Sequence, residues 1–186
     1  MTRNILPILI TASLILSGLG LAQAPAANPK ILLKTTQGDI TIELYPAKAP
    51  ITVKNFLGYV EDKFYDGLIF HRVLTDRVIQ AGGVTAEMHT RSGKASIKNE
   101  SGNGLMNARG YVAMARYEAL DSATSQFYIN VAKNSMLDDL KYCVFGKVVA
   151  GMDVVDAIAK VPTGSKRGYN DIPLTPITIL SATVLQ

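Results

Sequence analysis

The stretch FHRVLTDRVIQAGG, Phe70 to Gly83, decides the fold. The runs Ile69 to Leu74 and Val78 to Ala81 are short, apolar and rich in β-branched residues, and the polar residues Thr75, Asp76 and Arg77 separate them. Such runs read as short strands. The first carries one guanidinium, Arg72, and the second one glutamine, Gln80, so polar groups are set into otherwise apolar strands. Working outward, strand-like runs recur at Tyr111 to Ala115, Phe127 to Val131 and Val144 to Val148, separated by polar or Gly-rich segments. Upstream, Ile31 to Thr36 and Ile40 to Leu44 flank Gln37-Gly38-Asp39 as a hairpin, and Ile177 to Val184 closes the chain.

Two segments carry helical spacing instead. Pro50 opens one with Val53, Phe56, Leu57 and Val60 on one face and Gly67 beyond its end; Met152, Val155, Ile158 and Ala159 mark the other. Many short strands with few helices predict a mainly β domain, either a closed barrel or a sandwich. No internal repeat is present, and the polar stretch from Ala86 to Asn103 reads as an ordered surface loop.

At 186 residues the chain fits one domain able to bury its own core. The first residues stand apart from it. Arg3 supplies a positive start, Ile5 to Leu21 is apolar, and Ala22-Gln23-Ala24 offers small residues for cleavage, which predicts a signal peptide over residues 1–24, cut between 22 and 27. The alternative, an uncleaved anchor, needs a longer apolar run, about 20 residues. The domain then spans residues 28–186, exported to the periplasm or secreted, with no membrane attachment after cleavage. Cys143 is the single cysteine and forms no internal bridge; in the run YCVFGKV it reads as a buried hydrophobe. A net charge of +4 comes from scattered lysines and arginines without aromatic interleaving, so a nucleic-acid partner is not expected. The two histidines, His71 and His89, lie far apart, which predicts no metal site, and no Gly-rich phosphate loop calls for a cofactor.

Three blocks in the same order, FHRV with IQAGG, YVAMAR with SATSQFYIN, and VFGKVVAGMDVVDAI, resemble the cyclophilins, the peptidyl-prolyl cis-trans isomerases. The resemblance runs from about Lys30 to the C-terminus. It implies a closed eight-stranded antiparallel barrel whose first and last strands meet, with two helices covering its ends. It also implies Pro-containing polypeptides as substrates, and the chain is expected to act as a monomer. Rotation about a peptide bond faces a resonance barrier of roughly 18 to 20 kcal/mol, and an X-Pro bond isomerises unaided in about 10 to 100 seconds. No covalent step is required. A slot for the ring, a donor to the twisting prolyl nitrogen and a grip on the flanking backbone suffice, since each tenfold gain needs only about 1.36 kcal/mol of preferential transition-state binding.

Arg72 is the candidate donor, because a guanidinium is always charged and presents a fixed fork of N–H groups. Its alternative is a structural arginine paired with an acid. The resemblance implies that Gln80 orients the substrate backbone and that Gln126 lines the groove. It implies a proline pocket walled by Met114, Tyr128 and Leu137, with Val78 beside it. Ala115 and Arg116 correspond to a segment whose backbone pairs with the peptide, leaving the Arg116 side chain free to vary. Tyr142 stands where many members carry histidine. Departures are informative. Arg77 replaces a pocket phenylalanine, which predicts a shallower site and some preference for acidic residues beside the proline. Tyr128 replaces a commoner phenylalanine and adds a hydroxyl at the pocket, and Ala81 replaces a glycine. Met136 replaces a tryptophan whose indole donates to cyclosporin, which predicts weak cyclosporin binding.

The leading expectation is an isomerase that assists folding of exported proteins. The rival is a catalytically weak chaperone or proline-peptide binding module on the same fold. A barrel carrying a small apolar ligand is a third reading, disfavoured by the bulky apolar strands.

Overall fold

The computed structural model describes residues 27–185; the expected signal peptide lies outside the described residues. Strands β1 (Lys30–Thr35) and β2 (Gly38–Leu44) form the expected hairpin. Alternation fixes their faces, with Ile31, Leu33, Ile40, Ile42 and Leu44 all buried inward. Helix α1 (Pro50–Glu61) follows, then β3 (Arg72–Leu74), β4 (Val78–Ala81), β5 (Tyr111–Met114) and β6 (Phe127–Asn130). After a short helix α2 (Ser135–Asp139) come β7 (Val144–Ala150), helix α3 (Met152–Ala159), a separate hairpin of β8 (Thr163–Lys166) and β9 (Tyr169–Pro173), and β10 (Ile179–Leu185).

Eight strands form one curled antiparallel sheet in the order β10-β1-β2-β7-β5-β6-β4-β3. The first and last strands meet, as β1 pairs β10 along its length. The sheet nevertheless stays open as a half-barrel, which corrects the expectation of closure: its edges β3 and β10 share no ladder. The seam is spanned before β3 begins, by the bridge Ile69 to Thr178 and by backbone hydrogen bonds that join Gly67, Leu68 and Phe70 to Ile177 and Ile179. Extending that antiparallel register would set β3 against Pro173 to Thr175, with Pro176 opposite His71. Two prolines there lack the N–H groups that a ladder requires.

The inner face is one continuous core. Val53, Phe56, Tyr59 and Val60 of α1 and Val155, Ile158 and Ala159 of α3 join the inward strand residues in it. Phe56 sits at its centre, with ring centroids 5.1 Å from Tyr65, 5.3 Å from Phe127 and 5.1 Å from Phe145. The start of α1 is held from a distance: Glu100 accepts hydrogen bonds from the N–H groups of Ile51 (3.1 Å) and Thr52 (2.8 Å). A carboxylate there satisfies first-turn donors and opposes the helix dipole. The same contact pins the loop from Ala86 to Asn103 to the domain. At the start of α3, Gly151 has φ 86°, and a Cβ would strike the carbonyl oxygen of Asp39. Only glycine fits that turn.

Cys143 is buried, with its sulfur 3.5 Å from Thr52 Oγ1, and burial pushes its thiol up from the usual range. That is packing, not nucleophile chemistry.

Candidate active site

The candidate residues lie on the outer face of the sheet. Cross-strand register creates a row there, because Arg72 pairs with Gln80, Gln80 with Tyr128, Tyr128 with Ala113, and Ala113 with Val144. Period two then sends their neighbours Val73, Ile79, Ile129 and Val112 into the inner core. A second apolar cluster covers the outer face, built from Val78, Ala113, Tyr128 and Val144 with Leu137, Tyr142 and Ala115 packed against it. Its cavity is about 160 Å³ and is lined by Arg72, Val78, Gln80, Ala115, Arg116, Tyr128, Leu137 and Tyr142. An apolar floor with a guanidinium at one edge suits a proline ring and a donor to its nitrogen.

Arg72 is exposed. The ion pairs among the described residues are Lys94–Asp62 and Arg109–Asp156, so no acid holds Arg72 as a structural residue. Beside it, Gln80 Nε2 donates to Gln126 Oε1 at 2.9 Å, which fixes two amide groups at the pocket edge. Gly82 makes this possible: at φ 94° it brings the end of β4 against Ser125, whose carbonyl oxygen would lie 2.6 Å from any added Cβ. Gln126 does not line the pocket itself, but faces the adjoining groove with Gln80.

Several expectations change. Met114 does not wall the pocket. Alternation along β5 turns it inward, where it is buried in the main core. Arg77 is exposed outside the pocket lining, with Nη2 3.9 Å from Met136 Sδ across the rim, because the turn before β4 leaves it at the surface. The Tyr128 hydroxyl is not presented to the pocket; it donates to Asn107 Oδ1 at 2.8 Å, and Asn107 donates in turn to Asp138 Oδ1 at 2.8 Å. Burial, with smaller contributions from Tyr142 and Asp138, raises the Tyr128 phenol well above its usual range and keeps it a donor. Nor is the Arg116 side chain free to vary. Its guanidinium donates to the carbonyls of Tyr117 and Glu118, both at 2.8 Å, and of Leu140, and it lies 4.7 Å from the centroid of the Tyr142 ring. Tyr142 in turn stands edge-on to Tyr128 at 5.9 Å.

On the far side of Arg72 a wider groove of about 520 Å³ opens, lined by His71, Gln80, Thr90, Gln126 and the β8–β9 turn. Sequence reasoning missed that wall. The sequence TGSKRGYNDIP carries no alternation, and only Arg167-Gly168 hints at a turn. His71 lies at the junction, 4 % exposed, with Nδ1 unpartnered among the described residues. Burial, opposed by the nearby Ile69 backbone and Gln126 amide and reinforced by Arg72, lowers its pKa to about 4. It is neutral at physiological pH. No group of three acidic, His or Cys side chains suited to a metal occurs among the described residues.

Comparison with known proteins agrees with this geometry. Residues 30–184 match the family model described as cyclophilin type peptidyl-prolyl cis-trans isomerase/CLD. A peptidyl-prolyl cis-trans isomerase of Acinetobacter baylyi is 48 % identical over 92 % of this chain and 94 % of its own length. Peptidyl-prolyl cis-trans isomerase A of Dickeya dadantii is 44 % identical over 100 % of both chains, and isomerase B of Escherichia coli is 47 % identical over 83 % of this chain and 98 % of its own. A Cryptosporidium parvum cyclophilin structure superposes with a TM-score of 0.72 at 23 % identity, covering 86 % of this chain and 98 % of that one, which supports the fold alone. With its full domain matched and an apolar pocket edged by an unpaired arginine, the chain belongs to the cyclophilin family and is a peptidyl-prolyl cis-trans isomerase.

Proposed function

We propose that this isomerase acts, as a monomer, on exported polypeptides in the periplasm and that Arg72 supplies its catalytic hydrogen bond. The observation that carries the assignment is the row Arg72–Gln80–Tyr128 beside an apolar cavity, with no acid among the described residues engaging the guanidinium. In this reading the substrate proline rests on Val78, Tyr128, Leu137 and Tyr142. As the X-Pro bond twists, resonance is lost and the prolyl nitrogen regains its lone pair. Arg72 donates to that lone pair, an interaction stronger in the transition state than in the ground state. Gln80, steadied by Gln126, holds the carbonyl of the preceding residue. The backbone N–H and C=O of Arg116 take no partner among the described residues, which leaves them for the extended peptide. The Arg116 side chain braces that segment through its bonds to the carbonyls of Tyr117, Glu118 and Leu140.

The test is isomerisation of an Ala-Pro peptide by the mature domain and by Arg72→Ala. We expect kcat/KM to fall by roughly 10² to 10³, the loss typical of removing a transition-state donor. Turnover that persists in the variant would remove the assignment. Export is supported by the apolar leader and by a bacterial relative that aligns across it. Fractionation of cells producing the full chain would place the mature protein in the periplasm; recovery in the cytoplasm would refute this. Met136 is 48 % exposed at the rim and offers a thioether without a donor, so calorimetry with cyclosporin should give weak binding.

A further inference from the structure

We infer that Asp171 makes the groove on the far side of Arg72 a subsite for a basic side chain of the substrate, close to the proline. This rests on the reading that the Arg72 groove receives the peptide, and adds a charge preference to it. Asp171 lies in the middle of β9, the returning strand of the β8–β9 hairpin, and lines the same groove as Arg72, Gln80 and Gln126. It is the acidic residue of that lining, and no cation pairs with it among the described residues.

The hairpin is held firmly enough to place a charge. Tyr169 Oη is 3.1 Å from Thr90 Oγ1, Arg167 Nη1 donates to the Glu87 carbonyl at 3.0 Å, and Ile172 is buried with Ile69, Val84 and Met88. Asn170 is occupied within the hairpin, accepting from Ser165 Oγ at 2.8 Å. Asp171 is left as the acidic side chain facing the groove. Its backbone has φ 59°, in the left-handed region where Asp and Asn are tolerated better than most residues. The other charged or titratable groups on this groove are Arg72, His71 and the two tyrosines Tyr117 and Tyr169. His71 is neutral, so Arg72 is the one cation of the lining. A peptide whose proline engages Arg72 therefore meets a carboxylate across the groove, and a lysine or arginine nearby would be attracted where a glutamate would be repelled.

The experiment compares kcat/KM for peptides carrying Lys, Ala or Glu one or two residues from the proline on either side. Wild type, Asp171→Asn, Asp171→Glu and Arg72→Ala are assayed in parallel. Asparagine keeps the left-handed backbone and removes the charge; glutamate keeps the charge. At one position or more we expect Lys to exceed Glu roughly twofold to fivefold in wild type, the size of an exposed ion-pair effect. The ratio should fall to about one in Asp171→Asn, with the Ala peptide unchanged, and persist in Asp171→Glu. In wild type it should also shrink as salt rises from about 0.05 to about 1 M, which needs no variant to fold. A ratio near one in wild type, or one that survives in Asp171→Asn, overturns the inference. So does an equal change for every peptide, which would mean that Asp171 acts through Arg72. Undiminished turnover in Arg72→Ala would instead sink the assignment of the groove itself.

Discussion

The two walls of the Arg72 groove are built by different means. On one side, Arg72, Gln80, Tyr128 and Ala113 are set in line by ladder register, and every second residue along those strands is anchored in the inner core. On the other, Thr90 belongs to a loop bridged to Val84, and Tyr169, Asn170 and Asp171 to a separate two-stranded hairpin that packs on the domain by side-chain contacts over a small satellite core. Moving a residue of the first wall means breaking a sheet; moving one of the second means breaking a few hydrogen bonds. Chemistry that needs fixed placement belongs on the first wall, and adjustable selectivity on the second. Changes in the strand wall should therefore lower the rate for all substrates, and changes in the hairpin wall should alter the ranking of substrates.

The sharpest test of that division is the pair Arg72→Ala and Asp171→Asn. The first should cost all peptides roughly 10² to 10³ in kcat/KM, whereas the second should leave the uncharged peptide within about twofold. Arg72→Lys should recover little, since a point charge cannot reproduce the planar fork. A hairpin variant as damaging to the uncharged peptide as Arg72→Ala would end the distinction.

His71 lies where the walls join, its ring 6.2 Å from that of Tyr169. Its pKa is lowered from 6.5 to about 4, so the folded protein prefers the neutral imidazole. Above pH 6.5 neither state binds the proton and the full stability is present. Between about pH 6.5 and 4 the unfolded chain takes up a proton that the folded chain refuses, and stability falls as pH falls. The lowered value corresponds to a loss on the order of 3 kcal/mol across that window. Urea midpoints at pH 7 and near pH 4.5 should show it, and His71→Gln should flatten the dependence. An equally steep profile in that variant would assign the effect to other groups.

The strand wall was legible in the sequence and the hairpin wall was not, for a physical reason. Strands that bury a face announce themselves by apolar residues at period two, as Ile79 and Ala81 or Val112 and Met114 do. The strands β8 and β9, with sequences TGSK and YNDIP, bury only Ile172 and Pro173 and so carry little pattern. Helix α2 buries no residue and was equally silent. Period two also limits what a motif match can assign. Met114 and Ala115 are adjacent in sequence, yet the alternation at the end of β5 sends one to the core and the other, just beyond the strand, to the pocket. Barrel closure failed as an expectation because Pro173 and Pro176 act only once the register across the seam is known. The network under Tyr128 was hidden because Asn107 and Asp138 come from segments without regular spacing to it.

That network gives a smaller effect. Tyr128→Phe removes the donor to Asn107 Oδ1, while Asn130 Nδ2 still donates to the same atom at 3.3 Å. The loss should be about 1 kcal/mol, the net worth of one buried hydrogen bond whose acceptor keeps a partner. The ring facing the pocket is unchanged, so kcat/KM for an Ala-Pro peptide should stay within about twofold. A large fall in rate would mean that the hydroxyl reaches the substrate after all.

The smallest effect should come from loosening the hairpin wall without touching its charge. Tyr169→Phe keeps the ring beside His71 and removes only the hydroxyl 3.1 Å from Thr90 Oγ1, an exposed contact worth at most a fraction of a kcal/mol to stability. Arg167 and the burial of Ile172 still hold the hairpin, so the domain should melt almost where wild type does. Asp171, however, would be less fixed above the groove. A mobile carboxylate still attracts a lysine but loses part of its preorganisation, so the Lys-to-Glu ratio should narrow without reaching one. Because the strand wall is untouched, kcat for the uncharged peptide should not move. If kcat falls instead, the hairpin contributes to positioning the reacting bond, and the two walls act as one.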